Sequence, residues 1–224
     1  MRHWPLFNLR LTTPRLELRF PSLDDLDELA DRALEGVHDP GRMPFGVPWT
    51  DAPAAELPGN VIRFHLGVMA RWQPESWLCN FVVVHEGRVI GAQDLTATDF
   101  SVTREAHTGS WLGRAHQGHG LGTEMRAAVL HLAFAGLGAL TAVSSAFLDN
   151  PASLAVSRKL GYRPDGVSVL QIQGRRAIQQ RLRLDRDDFT SPVPVKIHDL
   201  EACLPHFGLP ATRPRGVVGP RSHG

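Results

Sequence analysis

The chain has 224 residues, with 24 Lys and Arg against 23 Asp and Glu and a formal net charge of +1. Hydrophobic residues make up 42% and charged residues 21%, a balance that is typical of a folded globular protein and excludes an intrinsically disordered one. A net charge so close to zero argues against a nucleic-acid-binding protein, for which a basic excess is usual.

Neither export nor membrane insertion is indicated. Met1–Pro5 lacks the apolar stretch and cleavage site of an export signal, and no run of about 18 apolar residues occurs that could span a membrane. Cys79 and Cys203 lie far apart and belong to no CxxC pair, so we expect free thiols and no metal. These observations predict a cytoplasmic protein with no nucleic-acid or membrane partner.

The first sixty residues predict a strand, a helix and a long loop. Leu9–Phe20 alternates in polarity and predicts a strand interrupted at Pro14. Ser22, followed by three aspartates, predicts the N-cap of a helix that ends at Gly36. Residues 37–60 carry five prolines and no periodic pattern. A loop of this length is either packed on itself at the surface or a lid over an acceptor site.

The rest of the body alternates between strands and amphipathic helices. The predicted elements are a helix over Val61–Trp72, strands over Asn80–His85, Arg88–Asp94, His107–Gly113 and Thr141–Leu148, a helix over Leu121–Leu132, a helix from Asn150 to Lys159 that ends at Gly161, a hairpin of Val167–Gln173 and Arg176–Leu184, and a strand over Val193–Ile197.

The stretch Trp111–Thr123 carries the chemical information. It runs from a strand through a glycine-rich loop into a helix, an order in which free N–H groups bind anions. It lacks the Gly-Lys pair of a P-loop, and the third glycine of Gly118, Gly120 and Gly122 comes one position too early for a dinucleotide fingerprint. Taken alone, the loop is either a phosphate site or a structural turn.

A second segment, 33 residues further on, leaves room for one helix and one strand. The two segments together resemble the GNAT acetyltransferase superfamily, over roughly Leu9 to Phe189, and within it the Rim-type branch that acetylates protein N-termini. The stretches His3–Phe7 and His38–Phe45 resemble an actinobacterial subgroup that uses acetyl-CoA or succinyl-CoA. The acyl-CoA motif Gln/Arg-x-x-Gly-x-Gly/Ala is matched by Gln117, Gly120 and Gly122, and the later Asn-x-x-Ala/Ser and Leu-Gly-Phe/Tyr elements by Asn150, Ser153, Leu160, Gly161 and Tyr162.

The resemblance implies an α+β fold in which helices flank a central mixed, mostly antiparallel sheet. It divides the chain into a GNAT domain (1–190), a C-terminal extension whose strand can dock on this or a neighbouring subunit of a homodimer (191–210), and a tail expected to be disordered (211–224). The implied activity is acetyl or succinyl transfer from a CoA thioester to a protein N-terminus, a lysine or a small-molecule amine, by direct attack in a ternary complex. The alternatives are a non-catalytic acyl-CoA sensor and a dinucleotide-dependent oxidoreductase.

The resemblance also implies residue roles toward the cofactor. Backbone N–H groups of the loop, with the Thr123 hydroxyl, hold the CoA pyrophosphate. Main-chain groups at the end of the preceding strand and the Asn150 side chain contact pantetheine, although Asn150 can also cap its own helix. The residues assigned to the cofactor are Leu112, Gly113, Gln117, Gly118, Gly120, Gly122, Thr123, Asn150 and Ser157.

The catalytic assignments depart from the family pattern. Ser157 occupies the slot of the usual tyrosine acid, and Tyr162, the only tyrosine, falls where the family packs an aromatic core residue. The resemblance to Rim-type enzymes instead implies that Ser153 meets the leaving sulfur, against the alternative of a small packing residue. His107 is the candidate base, although a lone strand histidine is often structural. In the proline-rich loop, Arg42 and Trp49 are assigned to the acceptor or acyl group, since arginine can pair with a succinyl carboxylate.

Overall fold

Alternating apolar residues build a sheet of nine strands within residues 1–211, the part of the chain that this computed structural model describes. The strands are β1 (Arg10–Thr12), β2 (Leu16–Arg19), β3 (Ser76–His85), β4 (Arg88–Thr98), β5 (Glu105–Leu112), β6 (Thr141–Phe147), β7 (Arg163–Ile172), β8 (Arg175–Asp185) and β9 (Lys196–His198). Their order is β7-β8-β6-β5-β4-β3-β2-β1-β9, and β5 and β6 run parallel while the other described neighbours are antiparallel. The predicted mixed, mostly antiparallel sheet is confirmed.

Helices cover both faces of this sheet. They are α1 (Leu23–Leu34), α2 (Leu57–Ala70), α3 (Phe100–Thr103), α4 (Leu121–His131), which continues as a π-helical turn over Leu132–Gly136, and α5 (Pro151–Lys159). One face lies under α1 and α2, where Leu29 and Val61 pack on Val82 and Ala92. The other face carries the larger core together with α4 and α5. Burying a large apolar side chain there contributes about 2–3 kcal/mol.

Two predictions near the N-terminus are wrong in detail. The predicted strand over Leu9–Phe20 is a hairpin, because the chain reverses around Pro14 and pairs β1 with β2 antiparallel. Helix α2 begins at Leu57, four residues before the predicted Val61. A proline in its first turn (Pro58) suits this start, since the first N–H groups of a helix need no intrahelical acceptor.

The predicted helix signals are confirmed. The Ser22 hydroxyl accepts from the Asp25 N–H while the Asp25 carboxylate accepts from the Ser22 N–H, a complete capping box at the start of α1. After α5, Gly161 takes the left-handed conformation (φ +91°) that a helix terminus needs.

The C-terminal extension completes the sheet of its own chain. The predicted strand over Val193–Ile197 is displaced to β9, which pairs antiparallel with β1. Cys203 and Phe207 are fully buried in the same core as the preceding residues. Because β9 pairs with β1 of its own chain, this strand gives no support to a homodimer, which stays a prediction. The predicted tail 211–224 lies, after Ala211, outside the described residues.

Both cysteines are buried thiols, and burial raises the pKa of Cys203 to about 11. Within residues 1–211, His, Cys, Asp and Glu side chains form no group of three or more that could hold a metal ion. No helix in the same range is long and apolar enough to cross a membrane.

Candidate active site

Strands β5 and β6 are paired at one end only. Parallel pairing joins Glu105–His107 to Thr141–Val143 and then stops. The Ser144 hydroxyl donates to the Thr108 carbonyl at 3.2 Å, just beyond the last pair. From there the two strands diverge and leave a gap that opens toward the glycine-rich loop.

The edge of β5 presents main-chain groups to this gap. The Gly113 N–H donates to the Ile90 carbonyl of β4 at 2.9 Å. Because successive residues of an antiparallel pair point their N–H and C=O in opposite directions, Leu112 and Ser110 point toward the gap instead. Of the two positions assigned to pantetheine, Leu112 therefore faces the gap, whereas the N–H of Gly113 is held by the sheet.

The glycine-rich loop forms a concave row of donors. Gly118 and Gly120 take left-handed conformations (φ +81° and +79°), which turn successive N–H groups inward. The N–H groups of residues 118–122 have no backbone acceptor in the described chain, whereas the Thr123 N–H donates to the Gly120 carbonyl at 3.1 Å. This row stands at the start of α4, where the helix dipole favours an anion.

The two motif glycines serve different purposes. A side chain at Gly120 would start 3.5 Å from the Arg15 guanidinium and would be strained by the positive φ. At Gly122 a Cβ would meet Val156 and Leu112 at 3.8 and 3.9 Å, which is ordinary contact. Gly120 is therefore required by its backbone conformation, whereas an alanine would fit at position 122.

A cation that the sequence did not predict lies beside this loop. Arg15 donates through Nε to Glu124 at 2.7 Å and through Nη1 to the His119 carbonyl at 3.1 Å, while 45% of its side chain stays exposed. Burial raises the pKa of Glu124, but hydrogen bonds from Thr13 and Arg15 outweigh it and hold that pKa below its usual value. The contact joins residues more than 100 positions apart, so no local signal could have found it.

Two predicted cofactor contacts have structural roles in this conformation. The Gln117 amide donates to the carbonyls of Val37 and Leu112 at 2.7 and 2.8 Å, which fixes the start of the loop. The Asn150 side chain accepts from the Ser153 N–H at 3.2 Å and so caps α5. Ser153 is half-buried in the first turn of that helix.

The slot of the usual tyrosine acid is closed. Ser157 is fully buried and accepts from Arg126 at 2.9 Å, and Arg126 also donates to the Ser110 hydroxyl at 3.2 Å. Burial lowers the pKa of Arg126 and raises that of Tyr162, whose hydroxyl lies 3.2 Å from that of Thr108. Tyr162 is a core residue, as predicted, and Ser157 is buried against Arg126, so its assignment to the cofactor stays a prediction.

The proline-rich loop spans the open end of the gap. Arg42 donates to the Asp149 carbonyl at 2.7 Å, between β6 and α5, and the Trp49 ring lies 5.4 Å from that of Trp111 on β5. The tip of the β7–β8 hairpin also reaches this loop through a hydrogen bond. The loop packs on itself as well, since the Phe45 ring lies 5.2 Å from that of Trp49. Arg42 and Trp49 thus lie at the same end of the gap, Arg42 beside the end of β6 and Trp49 against β5.

His107 and a carboxyl group that the sequence analysis missed lie on the face of the sheet that α1 and α2 cover. His107 pairs with Thr96, and its side chain is exposed, with Nε2 3.7 Å from the Glu105 carboxylate. Two pairs along, and on the same face, Asp94 is opposite Gly109. Burial raises the pKa of Asp94 to about 7.

A family model described as an acetyltransferase (GNAT) domain matches residues 15–163. Mycobacterium smegmatis RimJ in complex with CoA-disulfide superimposes with a TM-score of 0.68 at 16% identity, over 90% of this chain and 95% of that one.

Two further solved structures show the same fold. RimL, a ribosomal L7/L12 α-N-protein acetyltransferase in complex with CoA, gives a TM-score of 0.62 at 19% identity, over 77% of this chain and 95% of that one. A chimera of the spermidine N-acetyltransferase SpeG from Vibrio cholerae and hSSAT gives 0.60 at 18%, over 77% and 96%. At these identities the likeness shows the fold alone.

Proposed function

The chain belongs to the GNAT acetyltransferase family, and on that premise we propose that it acylates a primary amine with an acyl-CoA held by residues 117–123. One observation carries the assignment: the consecutive N–H groups of residues 118–122 have no backbone acceptor in the described chain and lie beside Arg15. Pyrophosphate is an anion with several acceptor oxygens, the chemistry that such a row of donors binds.

The pantetheine arm would then lie in the gap between β5 and β6. Its amides can pair with the main chain of Ser110 and Leu112, because the N–H and C=O groups of these residues point into the gap. The thioester would come to the narrow end of the gap, near Thr108. This course leads from the loop to the paired ends of the two strands, and it needs no side chain for recognition.

The proposed reaction is direct attack. The neutral amine nitrogen forms a bond to the thioester carbon, the C–S bond breaks with its electron pair on sulfur, and the thiolate takes a proton. Since the tyrosine slot is closed, Ser153 is the candidate group at the sulfur. It lies in the first turn of α5, where the helix dipole favours a developing negative charge.

A protein α-amine is the acceptor that we propose. At pH 7.5 an α-amine of pKa about 7.8 is about one-third neutral, whereas a lysine amine of pKa about 10.4 is about 0.1% neutral. RimL, which shares this fold, is an α-N-protein acetyltransferase, and this likeness supports the same choice. A peptide N-terminus can enter beneath the loop that carries Arg42 and Trp49.

The donor that we propose is acetyl-CoA, with succinyl-CoA as the alternative. Arg42 already donates to a carbonyl, but its buried Nε–H has no partner in the described chain and could donate to a succinyl carboxylate. Affinities for the two donors, measured side by side, decide between them. An Arg42→Gln variant that loses only succinyl-CoA affinity would assign that side chain to the acyl group.

The activity is tested by steady-state CoA release with matched peptides. One peptide has a free N-terminus and no lysine, one has a blocked N-terminus and a single lysine, and spermidine serves as the small amine. We expect release with the first peptide only. Tight acetyl-CoA binding without release above background for any amine would favour the non-catalytic sensor.

A further inference from the structure

We propose that Asp94 is the general base of this site, the group that takes a proton from the ammonium form of the acceptor. The inference rests on the proposed acyl transfer and adds to it a catalytic residue outside both sequence motifs. Three properties of the residue carry it: its position in the sheet, the open space above it and the lack of a charged partner.

The position follows from the register of three strands. Asp94 on β4 is directly opposite Asn80 on β3 and Gly109 on β5. Residues that are directly opposite one another share a face of the sheet. Two pairs further toward the loop, Ala92 and Trp111 lie in the cluster under α1 and α2, and because every second residue of a strand shares a face, Asp94 is on that face as well. It therefore lies one strand away from the gap.

Gly109 keeps this carboxyl accessible. The Asp94 Oδ2 atom lies 3.5 Å from the point where a Cβ on Gly109 would stand. Any larger residue at 109 would stand between the carboxyl and the edge of β5. Trp49, which lies against Trp111 on the same face, bounds the space from the loop side. An amine directed at a thioester in the gap would come within reach of Asp94.

No cation holds Asp94 in its ionised form. Within residues 1–211 burial is the single cause that acts on its pKa, which rises from 3.8 to about 7. Titratable groups on the neighbouring strands and on α2 include Glu105 and His107 on β5, Cys79 on β3 and His65 on α2. Burial raises the pKa of Cys79 well above its usual value and lowers that of His65 to about 4, so both are neutral near pH 7.

A carboxyl group with this pKa suits proton transfer at neutral pH. A base is most effective when its pKa lies near the working pH, because it is then partly ionised and still binds a proton well. Its negative charge also attracts the ammonium. His107, in contrast, is exposed to solvent next to Glu105, a position that suits passing the proton on to water.

The proposed step balances as follows. The acceptor R–NH3⁺ gives one proton to the Asp94 carboxylate and becomes a neutral amine. Its nitrogen attacks the thioester carbon, and the C–S bond breaks with its electron pair on sulfur. The second proton moves from nitrogen to sulfur. Asp94 then releases its proton to water, so the products are the amide, CoA–SH and one proton.

The test compares Asp94→Asn with Asp187→Asn in the full chain. Asp187 is a matched control, because its side chain is 93% exposed and lies after β8. We expect Asp94→Asn to lower kcat about 100-fold, the contribution of a positioned base, with acetyl-CoA affinity unchanged. The rise of kcat with pH around 7 should disappear. Asp187→Asn should keep parental kcat and the parental pH profile.

Other outcomes would overturn the proposal. Asp94 is not the base if the kcat of Asp94→Asn stays within threefold of the parent and still rises with pH around 7. The same holds if His107→Gln alone removes this rise of kcat. A measurement on the parent needs no variant: the ¹³C resonances of its aspartate carboxyls should include one that titrates near pH 7. Titration of all of them below pH 5 would refute the proposal. A parent enzyme that binds acetyl-CoA but releases CoA with no amine would instead refute the proposed function, and the role of Asp94 with it.

Discussion

The two ends of the candidate site are built in different ways. The cofactor end is a continuous segment, residues 117–123, that offers its backbone. The acceptor end combines side chains of Arg42 and Trp49 from a loop with Asp94 and His107 from two strands. A phosphate group can be bound by N–H groups of any suitably shaped backbone, whereas proton transfer needs a particular side chain. The backbone shape of the cofactor end is set within a few residues, whereas the side chains of the acceptor end come from segments far apart in the chain.

The two ends also differ in charge. Arg15 lies against the loop, and burial together with the nearby Arg32 lowers the pKa of His116. The acceptor end carries Asp94, which no cation neutralises within residues 1–211. Each end thus has a charged side chain of the sign opposite to its proposed reactant, Arg15 for an anionic CoA and Asp94 for an ammonium, while Arg42 at the acceptor end donates to the Asp149 carbonyl. Four variants test this contrast.

Gly120→Val should have the largest effect. Valine is strained at φ +79° and its side chain would approach Arg15. Loss of two or more hydrogen bonds to a charged group predicts at least about 100-fold weaker acetyl-CoA binding. Calorimetric titration measures it, with Gly174→Val as control, a position of similar φ (+76°) with open space around it. Binding within threefold of the parent would remove the pyrophosphate from this loop.

Asp94→Asn should stabilise the fold while it removes activity. The folded pKa is raised, so the folded state binds more protons than the unfolded state between pH 4 and 7, and stability falls as pH rises through that window. For a fully buried carboxyl, the gain in the free energy of unfolding of Asp94→Asn over the parent would be about 4 kcal/mol at pH 8. Because one edge of the side chain meets water, we expect a gain of about 2 kcal/mol.

Urea unfolding at pH 8 and pH 4 measures this difference between the variant and the parent. The gain should be present at pH 8 and shrink toward pH 4, where the parent carboxyl is protonated in the folded state. Asp187→Asn should change neither value. A destabilised Asp94→Asn protein at pH 8 would mean that the fold stabilises the carboxylate. This result would contradict an Asp94 that no cation neutralises.

Arg15→Gln should act on the cofactor end alone. Loss of one charge-assisted contact predicts about tenfold weaker acetyl-CoA binding, about 1.4 kcal/mol, and a smaller dependence of affinity on salt. The rate at saturating acetyl-CoA should be kept. Arg163→Gln is the control, since Arg163 is also ion-paired and 63% exposed but lies at the start of β7. Equal weakening in both variants would make the effect one of net charge.

Trp49→Ala should act on the acceptor end alone. Loss of its packing on Trp111 predicts about a fivefold rise in the KM of the acceptor, about 1 kcal/mol, without change in acetyl-CoA affinity. Val102→Ala, at an apolar position that is 83% exposed, serves as the control. A weaker affinity for acetyl-CoA instead would place Trp49 with the cofactor.

Features that depend only on residues close together in the chain could be predicted from the sequence. The capping box at Ser22, the left-handed glycines of the loop, the order of strands and helices and the absence of a tyrosine at position 157 are all visible in short stretches. Each depends on backbone conformation, periodicity or residue identity, and these are encoded over a few residues. For this reason most helices and strands and the turn of the glycine-rich loop were predictable, whereas the fold as a whole was expected from the resemblance to the GNAT superfamily.

The tertiary structure decided everything that depends on which strands and helices become neighbours. It turned Leu9–Phe20 into a hairpin, closed Ser157 against Arg126, and brought Arg15 to the loop and Asp94 beneath Gly109. Strand register sets these contacts, and a shift of one residue would turn each side chain to the other face. Register is fixed by the packing of the whole core, so residues far apart in the chain become partners only when that core has formed.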